Sequence, residues 1–420
     1  MADFVEKLGH YIEKQVEKKP KYARELLLNA YRAYGLEMKL LPKKQLTEAK
    51  RYLTLISGQA IIRPLKSPEK QVLTSIFTPC EMMHAMDLYP MCAEQYATYT
   101  NGAGAEHAFV EAAEREGISE TFCSYHKVVM GAAAAGVLPK PLAVVNTSLA
   151  CDANNLTFRK CAELLGAPQY YIDIPYETDD AAVGYVAEQL KEVQHFLEEL
   201  TGKKLRKEAL AQSIDNARRT IHHLRKAIPL RADHYVPAEL TAELYEVLMV
   251  HNALGLPETL RYAMMLRKEL QTSTKKPGRK ILWMHSNPFY QPSMKEFFNY
   301  QQDPHIALTE MCYDPLLDIH ETDPYRFMAA RCVYNSFNGP VTRRADRAVE
   351  KARTIGADGV ILFCHFGCKE TCGASRVIEE ALTDAGFPTI IINGDGVDRL
   401  NSPDGQMKTR VGAFLEMIEK

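Results

Sequence analysis

The sequence predicts an α/β fold made of two parallel-sheet halves separated by a helical insert and preceded by a helical segment. Three observations carry this reading. Short apolar runs alternate with helical stretches from residue 71 to 177, the pattern of βαβ units. The same alternation returns from residue 281 to 420. Between them, residues 178–280 hold long stretches with apolar residues at helical spacing, followed by a linker.

The first 70 residues read as helices. "MADFVEKLGHYIEKQVEKK" is amphipathic and lacks the apolar core of a signal peptide. "KYARELLLNAYRAYGLEM" and "KKQLTEAKRYLTLI" continue the pattern with basic residues outward. In the first α/β domain, 71–177, strands are expected in "QVLTSIF", "ISETFCSY", "PLAVVNTSLACD" and "QYYIDIPYE". Helices are expected in "TPCEMMHAMDLY", "HKVVMGAAAAGV" and "NNLTFRKCAELLG". The insert contains "AAVGYVAEQLKEVQHFLEELTGKKL" and "KEALAQSIDNARRTIHHLRKA", and "TSTKKPGRK" closes it as a linker. The second domain, 281–420, offers strands in "ILWMHSNPFY", "HIALTEMCYD", "ADGVILFCHFGC" and "FPTIIING". Its helices are read in "PYRFMAARCVYNSF", "RRADRAVEKARTIG" and "ASRVIEEALTDAG".

Composition narrows the function. Apolar residues make up 46% and charged residues 25%, ordinary for a globular chain, and the formal charge is −2. Such a balance offers no general attraction to nucleic acid or anionic membranes. No stretch approaches the ~20 apolar residues of a membrane span. The expectation is therefore a cytoplasmic protein with reduced thiols, so the ten cysteines are buried thiols, nucleophiles or metal ligands rather than disulfides.

Ligands of open parallel sheets bind at the carboxyl ends of strands, and most of the cysteines map there. Cys123 is read as ending the strand in "ISETFC". Cys151 follows "LAVVNTSLAC", Cys312 ends "HIALTEMC", and Cys80 opens the helix in "CEMMHAM". Cys364, Cys368 and Cys372 crowd a strand-to-helix turn, "ILFCHFGCKETCGASR", where three thiols gain nothing in packing. Cys92 and Cys161 read as core filler, while Cys312 and Cys332 stay open between filler and ligand. The trio has three chemistries open to it. Structural zinc prefers paired knuckles on short hairpins. A nucleophilic thiol needs one base, and His365 is adjacent. Iron–sulfur clusters want several thiolates around a pocket near helix N-termini. "NGAG" and "NGDG" make no dinucleotide fingerprint, and no Gly-x4-Gly-Lys-Ser/Thr loop occurs.

From about residue 70 onward the chain resembles the 2-hydroxyacyl-CoA dehydratase and benzoyl-CoA reductase family. The resemblance rests on "TPCEMMHAMDLYP", "FCSYHK", "TSLACD", "LEELTGKKL", "EMCYD", "GADGVI" and the ending "DAGFPTIIINGDGVDRLNSPDGQMKTRVGAFLEMIE", in that order. It implies two Rossmann-like parallel-sheet domains facing a cluster cleft, with one [4Fe–4S] cluster on the positions of Cys123, Cys151 and Cys368. The added thiols Cys80, Cys364 and Cys372 look like the branch of double-cubane cluster proteins, whose [8Fe–9S] group takes six cysteines. Cys312 or Cys332 could stand in for Cys364 or Cys80. The resemblance further implies a homodimer, a small-molecule substrate and electrons from an ATP-hydrolysing [4Fe–4S] reductase, without nucleic acid or membrane. His365 and His126 are the candidate proton donors; the plain alternative for either is a helix cap or a bond to a backbone carbonyl. Glu81 reads as a helix-N-terminal carboxylate, and Lys369 and Arg376 as compensators of cluster charge or solvated residues. Two other functions remain open at this point: the [4Fe–4S] subunit of a 2-hydroxyacyl-CoA dehydratase, and a zinc-stapled binding protein without redox chemistry.

Overall fold

The computed structural model describes residues 2–419. The chain opens with α1 (Ala2–Val16), α2 (Pro20–Leu40) and α3 (Glu48–Lys66). Thr47 caps α3, its hydroxyl accepting from the Lys50 amide at 3.4 Å. The first sheet region runs β1 (Gln71–Thr74), α4 (Glu81–Ala85), β2 (Tyr89–Cys92), α5 (Ala93–Gly102), α6 (His107–Arg115), α7 (Ser124–Ala134), β3 (Ala143–Thr147), α8 (Asp152–Leu165) and β4 (Gln169–Ile172). Four helices follow: α9 (Asp180–Thr201), α10 (Lys207–Ala227), α11 (Leu240–Asn252) and α12 (Pro257–Thr272). The second sheet region holds β5 (Lys280–Met284), α13 (Pro292–Phe298), β6 (His305–Thr309), α14 (Pro324–Val333), α15 (Val341–Ile355), β7 (Gly359–His365), α16 (Lys369–Asp384), β8 (Thr389–Gly394) and α17 (Asp404–Met417).

Both sheets have four parallel strands, in the orders β2-β1-β3-β4 and β6-β5-β7-β8. The two orders are the same winding. The chain steps from the first strand to one neighbour, then crosses to the other side, leaving a topological switch between β1 and β3 and another between β5 and β7. Helices cover both faces, so β1, β3 and β7 are buried along their whole length.

One expected strand is absent. Residues 118–123 form turns leading into α7, and the strand beside β1 is instead Tyr89–Cys92. "ISETFC" carries too few apolar residues to sit in a sheet buried on both faces, and Gly117 before it turns the chain at φ +85°. β2 is an edge strand and tolerates Pro90 there. Cys123 is therefore a helix N-cap and not a strand end.

The sheet regions meet through polar contacts. Ser124 Oγ donates to Asp395 Oδ1 at 2.5 Å, and Asn101 Nδ2 donates to the Val397 carbonyl at 2.5 Å. Arg399 reaches Glu106 at 3.7 Å. The N-terminal helices are tied in by Lys50, whose ammonium lies 2.8 Å from Glu243 and 2.6 Å from Glu246 on α11, all three buried.

Candidate functional site

Helix N-termini leave unpaired amides that favour negative charge. The sequence places a cysteine at the N-cap of α7 (Cys123), α8 (Cys151) and α16 (Cys368). Cys151 lies at the β1/β3 switch, while Cys364, the penultimate residue of β7, and Cys368 lie at the β5/β7 switch. Gly367 brings the two sides together. Its φ is +78°, and a Cβ there would lie 2.6 Å from the Cys123 nitrogen, so only glycine lets the β7–α16 loop rest against residues 121–123.

Five thiols converge as a result. Cys151 lies beside Cys368, and Cys364 beside Cys372. Cys123 is close enough to Cys368, Cys151 and Cys372 for their charges to interact. The neighbouring Cys151 holds the Cys368 thiol well below its ordinary range against the opposing effect of burial, and the His285 imidazole adds to that. The neighbouring Cys372 brings Cys364 down to about 7 despite burial, while the Cys372 thiol itself donates to the His365 carbonyl at 3.4 Å. The neighbouring sulfurs, together with burial, raise Cys151 and Cys372, and burial raises Cys123.

Two histidines touch these sulfurs. His365 Nε2 lies 3.2 Å from Cys123 Sγ, while its Nδ1 accepts from the Gly396 amide at 2.9 Å. That backbone donor leaves the ring proton on Nε2, pointing at the sulfur. His285 Nε2 is 3.6 Å from Cys368 Sγ. Sequence reasoning missed His285 because it searched by thiols; its position just past β5 is the same carboxyl-edge signal that selected the cysteines. His285 has φ +71°, and its amide donates to Glu310 Oε2 at 2.9 Å. Glu310 also takes Arg344 in a two-point pair, at 2.7 and 2.8 Å, and Arg344 extends to Glu370 at 3.8 Å.

The remaining candidates are distributed as follows. His126 is buried in the first turn of α7, its ring edge-on to Phe122 and Phe158, and its Nδ1 has no hydrogen-bond partner among the described residues. Burial lowers its pKa. Cys80 caps α4 and bonds to the Thr78 carbonyl at 3.1 Å and Asn252 Nδ2 at 3.6 Å; no hydrogen bond among the described residues joins it to the other five thiols. Glu81 beside it is ion-paired with Arg331, the role of a structural carboxylate. Cys332 lies against the Phe77 carbonyl, and Cys312 sits near Glu246 and Glu243 of the buried ion network. Cys92 and Cys161 are buried. Lys369 is exposed, and Arg376 is exposed and paired with Glu379.

Among the described residues no three His, Cys, Asp or Glu side chains surround a single point closely enough to grip one metal ion. The donor chemistry nevertheless fits a polynuclear iron–sulfur group. Such a group is held by thiolates reaching it from separate loops, and these thiols come from three helix N-termini and a strand end.

The chain itself belongs to a known class. The family model "2-hydroxyglutaryl-CoA dehydratase, D-component" matches residues 75–418, and the chain belongs to that family. It is 25% identical over 301 residues to the alpha subunit of (R)-2-hydroxyglutaryl-CoA dehydratase from Acidaminococcus fermentans, covering 67% of this chain and 61% of that subunit. The chain thus spans about three fifths of the length of that relative. It is 23% identical over 382 residues to the lactoyl-CoA dehydratase subunit alpha of Anaerotignum propionicum, covering 81% and 88%. It is 22% identical over 403 residues to the (R)-phenyllactyl-CoA dehydratase alpha subunit of Clostridium sporogenes, covering 88% and 96%. No helix is long and apolar enough to cross a membrane among the described residues.

Proposed function

We propose that this chain is an iron–sulfur reductase component that carries a double-cubane [8Fe–9S] cluster and works as a homodimer. It reduces a small molecule with single electrons from an ATP-hydrolysing [4Fe–4S] partner. The observation that supports this reading is the further pair of thiols, Cys364 at the end of β7 and Cys372 near the start of α16, beside Cys123, Cys151 and Cys368. A single [4Fe–4S] group on those last three leaves this pair without a task. Cys80 is the sixth ligand of the proposal.

When bound, the group supplies low-potential one-electron chemistry. The residues around it do the rest. The helix N-termini stabilise thiolate charge, and the Nε2 proton of His365 steadies Cys123. Glu310 and Arg344 anchor the loop that carries His285. Burial of Cys123, Cys364 and Cys368 keeps water out and strengthens each of these charges. His365 and His126 are the proposed proton donors, and the unpartnered Nδ1 of His126 is free to pass a proton on. ATP belongs with the partner, since the sequence has no phosphate-cradling loop.

The names of the three relatives support a second reading, the alpha subunit of a 2-hydroxyacyl-CoA dehydratase with one [4Fe–4S] group and a sister subunit. Anaerobic purification followed by iron and acid-labile sulfide analysis separates the two: about eight irons per chain for the double cubane, about four for the dehydratase. A colourless protein carrying zinc and no sulfide would sink both.

A further inference from the structure

His285 is fixed on a backbone that most side chains avoid, with φ +71°. Its amide is held by Glu310 Oε2 at 2.9 Å, and Glu310 is held in turn by Arg344 at 2.7 and 2.8 Å. Glu310 and Arg344 are both buried. Arg344 lies over the Phe337 ring at 4.2 Å, and two of its nitrogens lie 3.5 Å from Thr371 Oγ1 in the first turn of α16. Well-packed apolar side chains stabilise a site as well as a buried ion pair does. What this pair adds is a fixed acceptor for one main-chain amide, and with it a fixed place for one imidazole.

The ring itself is set by the next residue. Ser286 Oγ lies 3.3 Å from His285 Nδ1 and is placed to donate to it, which leaves the ring proton on Nε2. Trp283 Nε1 donates to the Ser286 carbonyl at 2.8 Å and pins the same turn. Nε2 then faces Cys368 Sγ at 3.6 Å, a length suited to a large sulfur acceptor. The arrangement repeats on the neighbouring strand. β5 and β7 pair in register, His285 follows β5 directly and meets Cys368, and His365 ends β7 and meets Cys123.

We propose that His285 is a positioning residue whose Nε2–H bond to Cys368 raises the reduction potential of the iron–sulfur group that this thiolate helps to hold. The proposal rests on the redox reading above, and it is the same for one [4Fe–4S] group and for a double cubane, since Cys368 is a ligand in both. Reduction brings one electron from the reductant onto iron and makes the ligand sulfurs more negative; no bond is made or broken. A fixed N–H donor at such a sulfur favours the reduced, more negative state over the oxidised one. The buried Glu310–Arg344 pair keeps that donor in place through both states.

The test is a redox titration of the iron-loaded full-length chain with titanium(III) citrate, read by visible absorbance. His285→Asn suits the left-handed backbone, but its amide is too short to reach Cys368. His285→Gln places an amide N–H where Nε2 lies. Held at the parental midpoint potential, His285→Asn should show a reduced-to-oxidised ratio about tenfold smaller than the parent, a shift of about 59 mV to more negative potential for one electron. His285→Gln should stay close to the parent. Iron content and thermal unfolding should be parental in both variants. Equal potentials in all three proteins, with iron retained, would overturn the role while leaving the redox reading intact. An equal shift in both variants would assign the effect to the ring and not to the bond. Loss of iron from both would make His285 an iron ligand and overturn the role as well. A loaded chain with no iron–sulfur absorbance would remove the redox reading and this role with it.

Discussion

A methyl group at position 367 would sit 2.6 Å from the Cys123 amide nitrogen, on a backbone with φ +78°. Gly367→Ala is therefore expected to cost about 2 kcal/mol and to push the Cys368 loop off Cys123. Thermal unfolding and iron content should fall together; a variant with the parental iron content would refute this role. The cysteines themselves divide by the same logic. Cys364→Ser should lower the iron count while sparing the fold, because it removes a proposed ligand at the carboxyl end of β7 and changes one atom. Cys161→Ser should leave the iron count alone and cost about 1–3 kcal/mol, since it buries a hydroxyl in the core of α8. At this scale the sequence was legible for position: the crowded Cys364, Cys368 and Cys372 do fall at the turn from β7 into α16. It was not legible for His285, whose part depends on its distance to a sulfur 83 residues away.

Elements were read best where their pattern is local. β7 is a run of apolar residues between Gly359 and His365, and α16 follows it one turn later. β2 was missed and residues 118–123 were wrongly expected in its place, because a four-residue edge strand containing proline carries almost no periodic signal. α11 also hides its nature: Glu243 and Glu246 look like solvated helix charges but are buried against Lys50. Lys50→Met should destabilise the chain by about 3–5 kcal/mol, because it strands the buried Glu243 carboxylate and leaves Glu246 to Arg231 and Tyr262 alone. Lys50→Met combined with Glu243→Gln and Glu246→Gln should recover part of that loss in denaturant titrations. A single variant as stable as the parent would mean the network is not buried as described.

For the whole molecule, the repeated winding of the two sheets could be inferred from the order of apolar runs, but the contacts between them could not, since they join residues nearly three hundred positions apart. Asn101 and Val397 are one such pair, Glu106 and Arg399 another. Burial raises the Glu106 carboxyl to about 7 against the opposing charge of Arg399. A carboxyl whose pKa is higher in the folded chain stabilises fully below its unfolded value and loses that contribution as pH rises through the folded value. Between about pH 5 and about pH 8 the parent should therefore lose roughly 2 kcal/mol that Glu106→Gln does not lose. Melting curves of both proteins at the two pH values check the sign; an equal slope in the two proteins would exclude Glu106 as its source.

Gly367 and its neighbours also set an order of events during synthesis. Cys123 and Cys151 emerge from the ribosome long before Cys364, Cys368 and Cys372, and the early pair has no complement until the β7–α16 loop has folded down on residues 121–123. A nascent chain stalled ahead of that loop exposes two lone thiols. All five thiols can face one inorganic group only after residue 372 has been made and that loop has folded down.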